Sequence, residues 1–284
     1  MVKTMLKVEA FVVVTVEAFV VVCTGLLTGM VEVYCNTQQF NYNGGHLNDL
    51  YRMKKHNQNN LTVVKHNDLN RAGFKLTLDE RRLILSSVAK LDPRKPMVDE
   101  VKIYASEFAH QWDVSEKHAY KQLKEARQNL FDRKISLRGN KKGRDIRWIY
   151  DAEYADGEGY IKISFSPTVK PYLSELKSHF TSYQLTEVKG FKSGHAIRLY
   201  ELMMQFKKTG WFDESLEDLK AMFGVADKYD RWVDFKSWVI EKAVKEVNEI
   251  SNYTVKYETK KRGRKISRVT FFFHLDEQTD MFKS

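Results

Sequence analysis

The stretch KIYASEFAHQWDVSEKHAYKQLKEARQNLFDRKISLRG, residues 102–139, constrains the fold more than any other. It predicts a short helix from about Ala105 to Gln111, a tight turn at Trp112–Val114, an N-cap at Ser115 and a second helix to about Phe131. Two helices joined by so short a turn form a helix-turn-helix unit. A strand follows at Lys134–Leu137, then strands at Ile146–Tyr150 and Tyr160–Phe165, the last two separated by the turn-rich DGEG. Helix-turn-helix followed by a β-hairpin is the winged-helix arrangement.

The order recurs downstream. SGHAIRLYELMMQFKK reads as a buried helix, and LEDLKAMFG as a short helix ended by Gly224. RWVDFKSWVIEKAVKEVNEI is a long helix, and NYTVKYETKKRGRKISRVTFFFHL a hairpin with a basic tip. No residue-level repeat relates the halves; they share an order of elements. Upstream, Thr77 and Glu80 form a capping box for TLDERRLILSSVAKL, whose Leu78, Leu83, Ile84, Val88 and Leu91 make a core-facing stripe. The expected fold is therefore α+β, with two winged-helix domains in tandem over 61–175 and 176–284.

Residues 1–60 do not conform. VEAFVVVTVEAFVVVC, residues 8–23, repeats a block with a period of eight, and Phe40–Asn60 reads as a polar linker. Glu9 and Glu17 break the apolar run, and its longest uncharged part, Ala18–Val31, is shorter than the roughly 20 residues that span a bilayer. A membrane segment and a short strand pair are two readings of it. The third reading is DNA repeats translated in frame upstream of a true start at Met53.

Charge narrows the function. The chain carries a net +10. Residues 1–52 hold three cations against four anions, so the remaining body carries +11. A basic body favours a polyanion, nucleic acid first and an anionic membrane second. Both cysteines, Cys23 and Cys35, lie in the first 52 residues, so the body has no thiol chemistry, which suits a cytoplasmic location. There is no GxxxxGK[ST] loop and no HxH or HxxxH pair, so neither a P-loop nor the usual metal-dependent nicking site is expected. The acidic run Asp151, Glu153, Asp156 and Glu158 reads as a solvated loop rather than a metal site. No catalytic residue, cofactor or metal is expected.

The candidate DNA-binding residues fall on two helices and two hairpin tips. After Ser115, the residues Ala119, Leu123, Ala126 and Leu130 share one helix face, while Lys117, Lys121, Lys124 and Gln128 lie near the opposite one, flanked by His118 and Tyr120. A helix in the major groove needs that division: a packed back, amines for phosphates, and side chains that reach base edges. In the long downstream helix, Trp232, Phe235, Val239, Ala243, Val247 and Ile250 form the apolar stripe, with Arg231, Lys236, Ser237 and Lys242 off it. Trp238 is expected to pack against the domain. The tip Lys260, Lys261, Arg262, Gly263, Arg264 and Lys265 is the densest charge in the chain, and cations so crowded repel unless a polyanion neutralises them. Lys141, Lys142 and Arg144 make a weaker first tip.

From about Leu61 to Leu275 the chain resembles the plasmid replication initiators of the RepB/RepE type, which act at tandem repeats called iterons. The resemblance rests on VVKHNDLNRAGFKLTLDERRLIL, SEKHAYKQLKEARQNLF, FTSYQLTEVK with AIRLYELMMQFKK, and VDFKSWVIEKAVKEVNEISNYTVKYETKKRGRKISRVTFFF. It implies two pseudo-symmetric winged-helix domains and a monomer gripping one iteron across two successive major grooves. Replication would start with the host initiator protein and the replicative helicase. A dimer joined through the first domain would repress the protein's own gene. Carried over by position, the second base-reading segment falls on Asp234-Phe235-Lys236-Ser237-Trp238, where members of the family are richer in arginine. A winged-helix transcriptional regulator without a replication role is the alternative; a nicking enzyme and a membrane-tethered regulator stand further off.

Overall fold

Residues 61–137, 143–154 and 159–276 are described in full in this computed structural model, and Arg138, Ala155 and four strands nearer the N-terminus by their backbone. The chain divides into two compact units, 1–58 and 59–284. In the first, β1 (Val13–Val16), β2 (Phe19–Val22), β3 (Met30–Cys35) and β4 (Gln38–Asn43) form an antiparallel sheet in sequence order. The valine-rich repeat thus takes the strand-pair form, Val13 opposite Val22 and Val16 opposite Phe19. Valine's branched β-carbon favours this over helix. Residues 40–43, expected in a linker, belong instead to β4.

The second unit opens on β5 (Thr62–His66) and the short helix α1 (Asn67–Arg71). Helix α2 (Leu78–Val88) starts at the predicted capping box: the Glu80 amide donates to Thr77 Oγ1 at 3.3 Å and the Thr77 amide to Glu80 Oε2 at 3.0 Å. Burial of α2 exceeds an amphipathic stripe. Glu80, Arg81, Arg82, Ser86 and Ser87 are buried along with its leucines, because protein covers it on more than one side. Strand β6 (Val101–Tyr104) leads into α3 (Ala105–Trp112), where Asp113, at φ 54°, turns the chain into α4 (Glu116–Leu130).

The strand expected at 146–150 is two strands. β8 (Gly143–Arg147) pairs with β7 (Lys134–Arg138) as the first wing, with Ile135 opposite Ile146. The chain then breaks at the fully buried Trp148 and continues as β9 (Ile149–Ala155). β9 pairs with β10 (Tyr160–Phe165), which also pairs with β6. Asp151 and Glu153, read as loop, are therefore on a strand, with Glu153 accepting from Lys162 at 2.8 Å. β11 (Phe180–Gln184) closes this part by returning to β5, Phe180 opposite His66.

Helix α5 (Gly194–Gln205) is buried on all sides from Ala196 to Met204. Beyond it come β12 (Trp211–Ser215) and α6 (Leu216–Met222). The long helix α7 runs as Trp232–Phe235, passes through a π turn at Lys236–Ile240, and continues as Glu241–Ile250. Its buried residues explain the π turn. Phe235, Val239, Ala243 and Val247 recur every four residues. An ideal α-helix at 100° per residue would swing such a row about 40° further at each step. A wider turn resets the row, and it also buries Ile240. β13 (Tyr253–Arg262) and β14 (Lys265–Leu275) form the second wing, β12 pairing on the far side of β14.

One continuous apolar core runs from Val63 to Phe273, and a buried charge cluster sits within it. Glu201, on α5, meets Lys65 of β5, Arg81 of α2 (3.4 Å) and Arg198 one turn back on α5 (3.4 Å). Tyr183 of β11 donates its hydroxyl to Glu201 Oε1 at 2.9 Å. Burial alone would push the Glu201 carboxyl up, but the three cations override it and hold it at about 2. Burial, with Arg198 and Arg81 nearby, brings Lys65 down to about 8 against the pull of Glu201, which leaves it charged at neutral pH. The surplus positive charge is spread over acceptors: Arg198 donates to the carbonyls of Ala72 (2.7 Å) and Met222 (2.8 Å) and lies 4.5 Å from the Phe74 ring centroid. Ala72 precedes α2 and Met222 ends α6, so one guanidinium ties the first winged helix to the second. At the same junction Gly224 sits at φ 70°, and a Cβ there would lie 2.4 Å from the Phe74 carbonyl oxygen.

Glu201→Gln is expected to destabilise the second unit by about 3–5 kcal/mol, since it leaves three buried cations without their anion. Urea unfolding checks this. The acid limb has a definite sign. Below pH 4.5 an unfolded Glu201 takes up a proton that the folded one refuses until about 2, so this group's stabilisation is lost as pH falls through that window. The variant should lack that part of the slope.

Candidate nucleic-acid interface

The first candidate recognition helix is α4. Ser115 caps it: its Oγ accepts from the His118 amide at 3.4 Å and contacts His118 Nδ1 at 2.8 Å. Ala119, Leu123, Ala126 and Leu130 are buried against the domain. Lys117, His118, Lys121, Lys124 and Gln128 are exposed, as the helical spacing requires. Lys121 pairs loosely with Glu125 at 3.9 Å. Lys124 lies 4.6 Å from the centroid of the Tyr154 ring on β9, and Arg127 donates to the Ala152 carbonyl at 3.2 Å. These contacts anchor the C-terminal half of the helix to the sheet and leave its first two turns outward. In the first wing, Arg144 is exposed on β8, while Lys141 and Lys142 lie outside the described residues.

In the second winged helix the expected reader segment divides. Asp234 is bound bidentately by Arg231, both contacts at 2.8 Å, which holds its carboxyl below the usual carboxylate range. Phe235 has no exposed surface and meets Phe223, so it belongs to the core and cannot reach a base. Lys236 pairs with Glu241 at 3.3 Å, a contact that raises its ammonium above the ordinary lysine range. Lys236 and Trp232 line a groove opposite Tyr257, Glu258 and Thr259 of β13. Ser237 is exposed. Trp238, expected to pack, is 57% exposed, because the π turn carries it outward past Val239 and Ile240. Lys242 lies 4.0 Å from its ring centroid. The spacing of Trp238 and Lys242, four residues apart, was the available sign that they share a face.

The second wing is a long hairpin. Register holds from Tyr253 opposite Leu275 to Arg262 opposite Lys265, with one irregularity between Lys260 and Lys261. Gly263, at φ 63°, makes the tight turn. Lys260, Lys261, Arg262, Arg264 and Lys265 are all exposed around it. Among the described residues no group of three or more His, Cys, Asp or Glu side chains is placed to hold a metal, and no helix is long and apolar enough to cross a membrane.

Two packed helices, each followed by a wing, define a tandem winged-helix protein. Residues 62–204 match the family model described as Initiator Replication protein, WH1, and residues 215–273 that described as Initiator Rep protein, WH2. The chain belongs to this family of replication initiator proteins. A replication initiation protein of Escherichia coli is 31% identical over 232 residues, covering 78% of this chain and 72% of that protein. The PI protein of Escherichia coli is also 31% identical, over 261 residues, covering 77% of this chain and 85% of that one. The crystal structure of the Pi initiator protein in complex with iteron DNA aligns with a TM-score of 0.66 and 28% identity, over 77% of this chain and 99% of that chain.

Ser115→Ala should cost about 1 kcal/mol in urea unfolding, the ordinary loss for a helix N-cap. An unchanged midpoint would show that the His118 amide finds another acceptor.

Proposed function

We propose that the protein is a sequence-specific double-stranded DNA-binding initiator of plasmid replication that binds iteron repeats at the origin. The observation that carries this is the pairing, in the family's order, of two winged helices whose outward faces are cationic, in a fold that aligns with an iteron-bound initiator. In this reading Lys117, Lys121, Lys124 and Arg144 of the first domain, and the cations of the second wing, neutralise phosphates and set register. His118, Gln128 and Ser237 are close enough to the recognition faces to meet base edges. Wing cations carry most of the sequence-independent affinity.

The protein works by binding energy rather than by covalent chemistry. Deformation of the duplex beside the occupied repeats favours opening, with the host initiator and the replicative helicase as partners. A dimer through the first domain represses the protein's own gene, and the protein acts in the cytoplasm. A regulator without a replication role is disfavoured by the family to which the chain belongs.

DNase footprinting of the purified protein on the DNA upstream of its own gene tests the reading. Protection is expected over tandem repeats, with log K falling against log salt by about 0.9 for each phosphate neutralised. Replacing Lys261, Arg262 and Arg264 together by serine should lower that slope by about 2–3 and weaken specific and non-specific sites alike. A replicon that still replicates after the gene is deleted would leave only a regulator.

A further inference from the structure

Three cations of the second candidate recognition helix and its N-cap are tied up in ion pairs. Arg231 is committed to Asp234, Lys236 to Glu241, and Lys245 to Glu249 at 3.7 Å. What the helix presents instead is an indole. Trp238 keeps 57% of its surface in water, whereas Trp112 and Trp148 are buried to within 2%. Trp211, the other strongly exposed tryptophan, lies on strand β12 opposite Phe272. Trp238 is held rather than loose: the Lys242 ammonium stands 4.0 Å from its ring centroid, and its backbone is fixed between the buried Phe235 and Val239.

The π turn is what makes this possible. It lodges Val239 and Ile240 together in the core and directs the preceding Ser237 and Trp238 out to the surface. π turns inside α-helices occur frequently at functional sites. In the major groove, the apolar group that marks a base is the 5-methyl of thymine, read by apolar contact, while an amine beside it can reach a phosphate or a guanine edge. We infer that Trp238 is a specificity-determining residue that reads a thymine methyl group in the binding site, with Lys242 both fixing the ring and supplying the adjacent polar contact. This rests on the function proposed above and names the base chemistry of its second half-site. The helix then discriminates by burying apolar surface where arginine readers would have used hydrogen bonds.

The test uses the full-length protein and the footprinted duplex, with each thymine replaced singly by deoxyuridine, which removes only the methyl group. One or two positions in the part of the site covered by the second domain should weaken wild-type binding about fourfold, the equivalent of ~0.8 kcal/mol at ~1.4 kcal/mol per tenfold. Trp238→Ala should bind the thymine and uracil duplexes equally at those positions, and Trp238→Phe should keep part of the difference. Wild-type binding that is indifferent to every thymine methyl overturns the inference, as does Trp238→Ala that retains the full difference. The uracil series on the wild-type protein does not depend on how a variant folds. If the wild-type protein protects no repeat at all, the proposed function fails and this inference falls with it; specific protection without methyl dependence removes the inference alone.

Discussion

Glu201 is the anion on which the second unit closes. Lys65 comes from the first strand of that unit, Arg81 from the second helix, Arg198 and Glu201 from α5, and Tyr183 from the returning strand β11. Three cations and one anion in a core would ordinarily be costly, since burying charge without a partner is far worse than burying apolar surface. The arrangement is sustained by sharing: Arg198 reaches carbonyls in both winged helices, and Phe74 offers its ring to Arg198 and Arg81 alike. Such a cluster is poor at adding stability over an apolar core but demanding of geometry. That demand fixes Arg198, whose guanidinium then reaches out to the Met222 carbonyl of the second winged helix.

That arrangement matters because each recognition helix is held by its own domain. α4 is packed by four apolar residues at helical spacing and capped by Ser115. α7 is packed through its π turn and faces its wing across a groove lined by Trp232, Lys236 and Tyr257. Each helix needs only local packing to stand correctly on its own domain. Reading one continuous DNA site with both needs the junction around Gly224 and Arg198 as well.

Much of this was legible from residue order. The capping box at Thr77, the turn at Trp112–Val114, the α4 faces, the buried α5 and the Gly263 hairpin depend on neighbours within a few residues, which is where sequence patterns carry information. Three things were not. β5 pairs with β11, more than a hundred residues further along the chain, and β12 pairs with the last strand; neither is a local signal. Polar residues of α2 and α5 are buried in the charge cluster, a fact set by tertiary neighbours rather than by periodicity. And the π turn shifts the α7 faces after Phe235, which lies in the core where the apolar stripe put it, so Trp238 went from core to surface. Candidate cations on the helices were correctly placed outside, but the pairing of Arg231 and Lys236 with nearby carboxylates depends on rotamers that no spacing reveals.

The junction at which Arg198 reaches the Met222 carbonyl and Gly224 meets Phe74 makes the two winged helices one reading head of fixed register. Inserting base pairs between the two halves of the protected site measures this directly, since each adds ~3.4 Å of helix and rotates one half-site about the axis relative to the other. A rigid head should lose most of its specific affinity with a one- or two-base-pair insertion, and lose one half of its footprint with five. Retention of full affinity and an unbroken footprint across those insertions would contradict the account, because it would mean that the domains move independently in spite of the Arg198–Met222 and Gly224 junction.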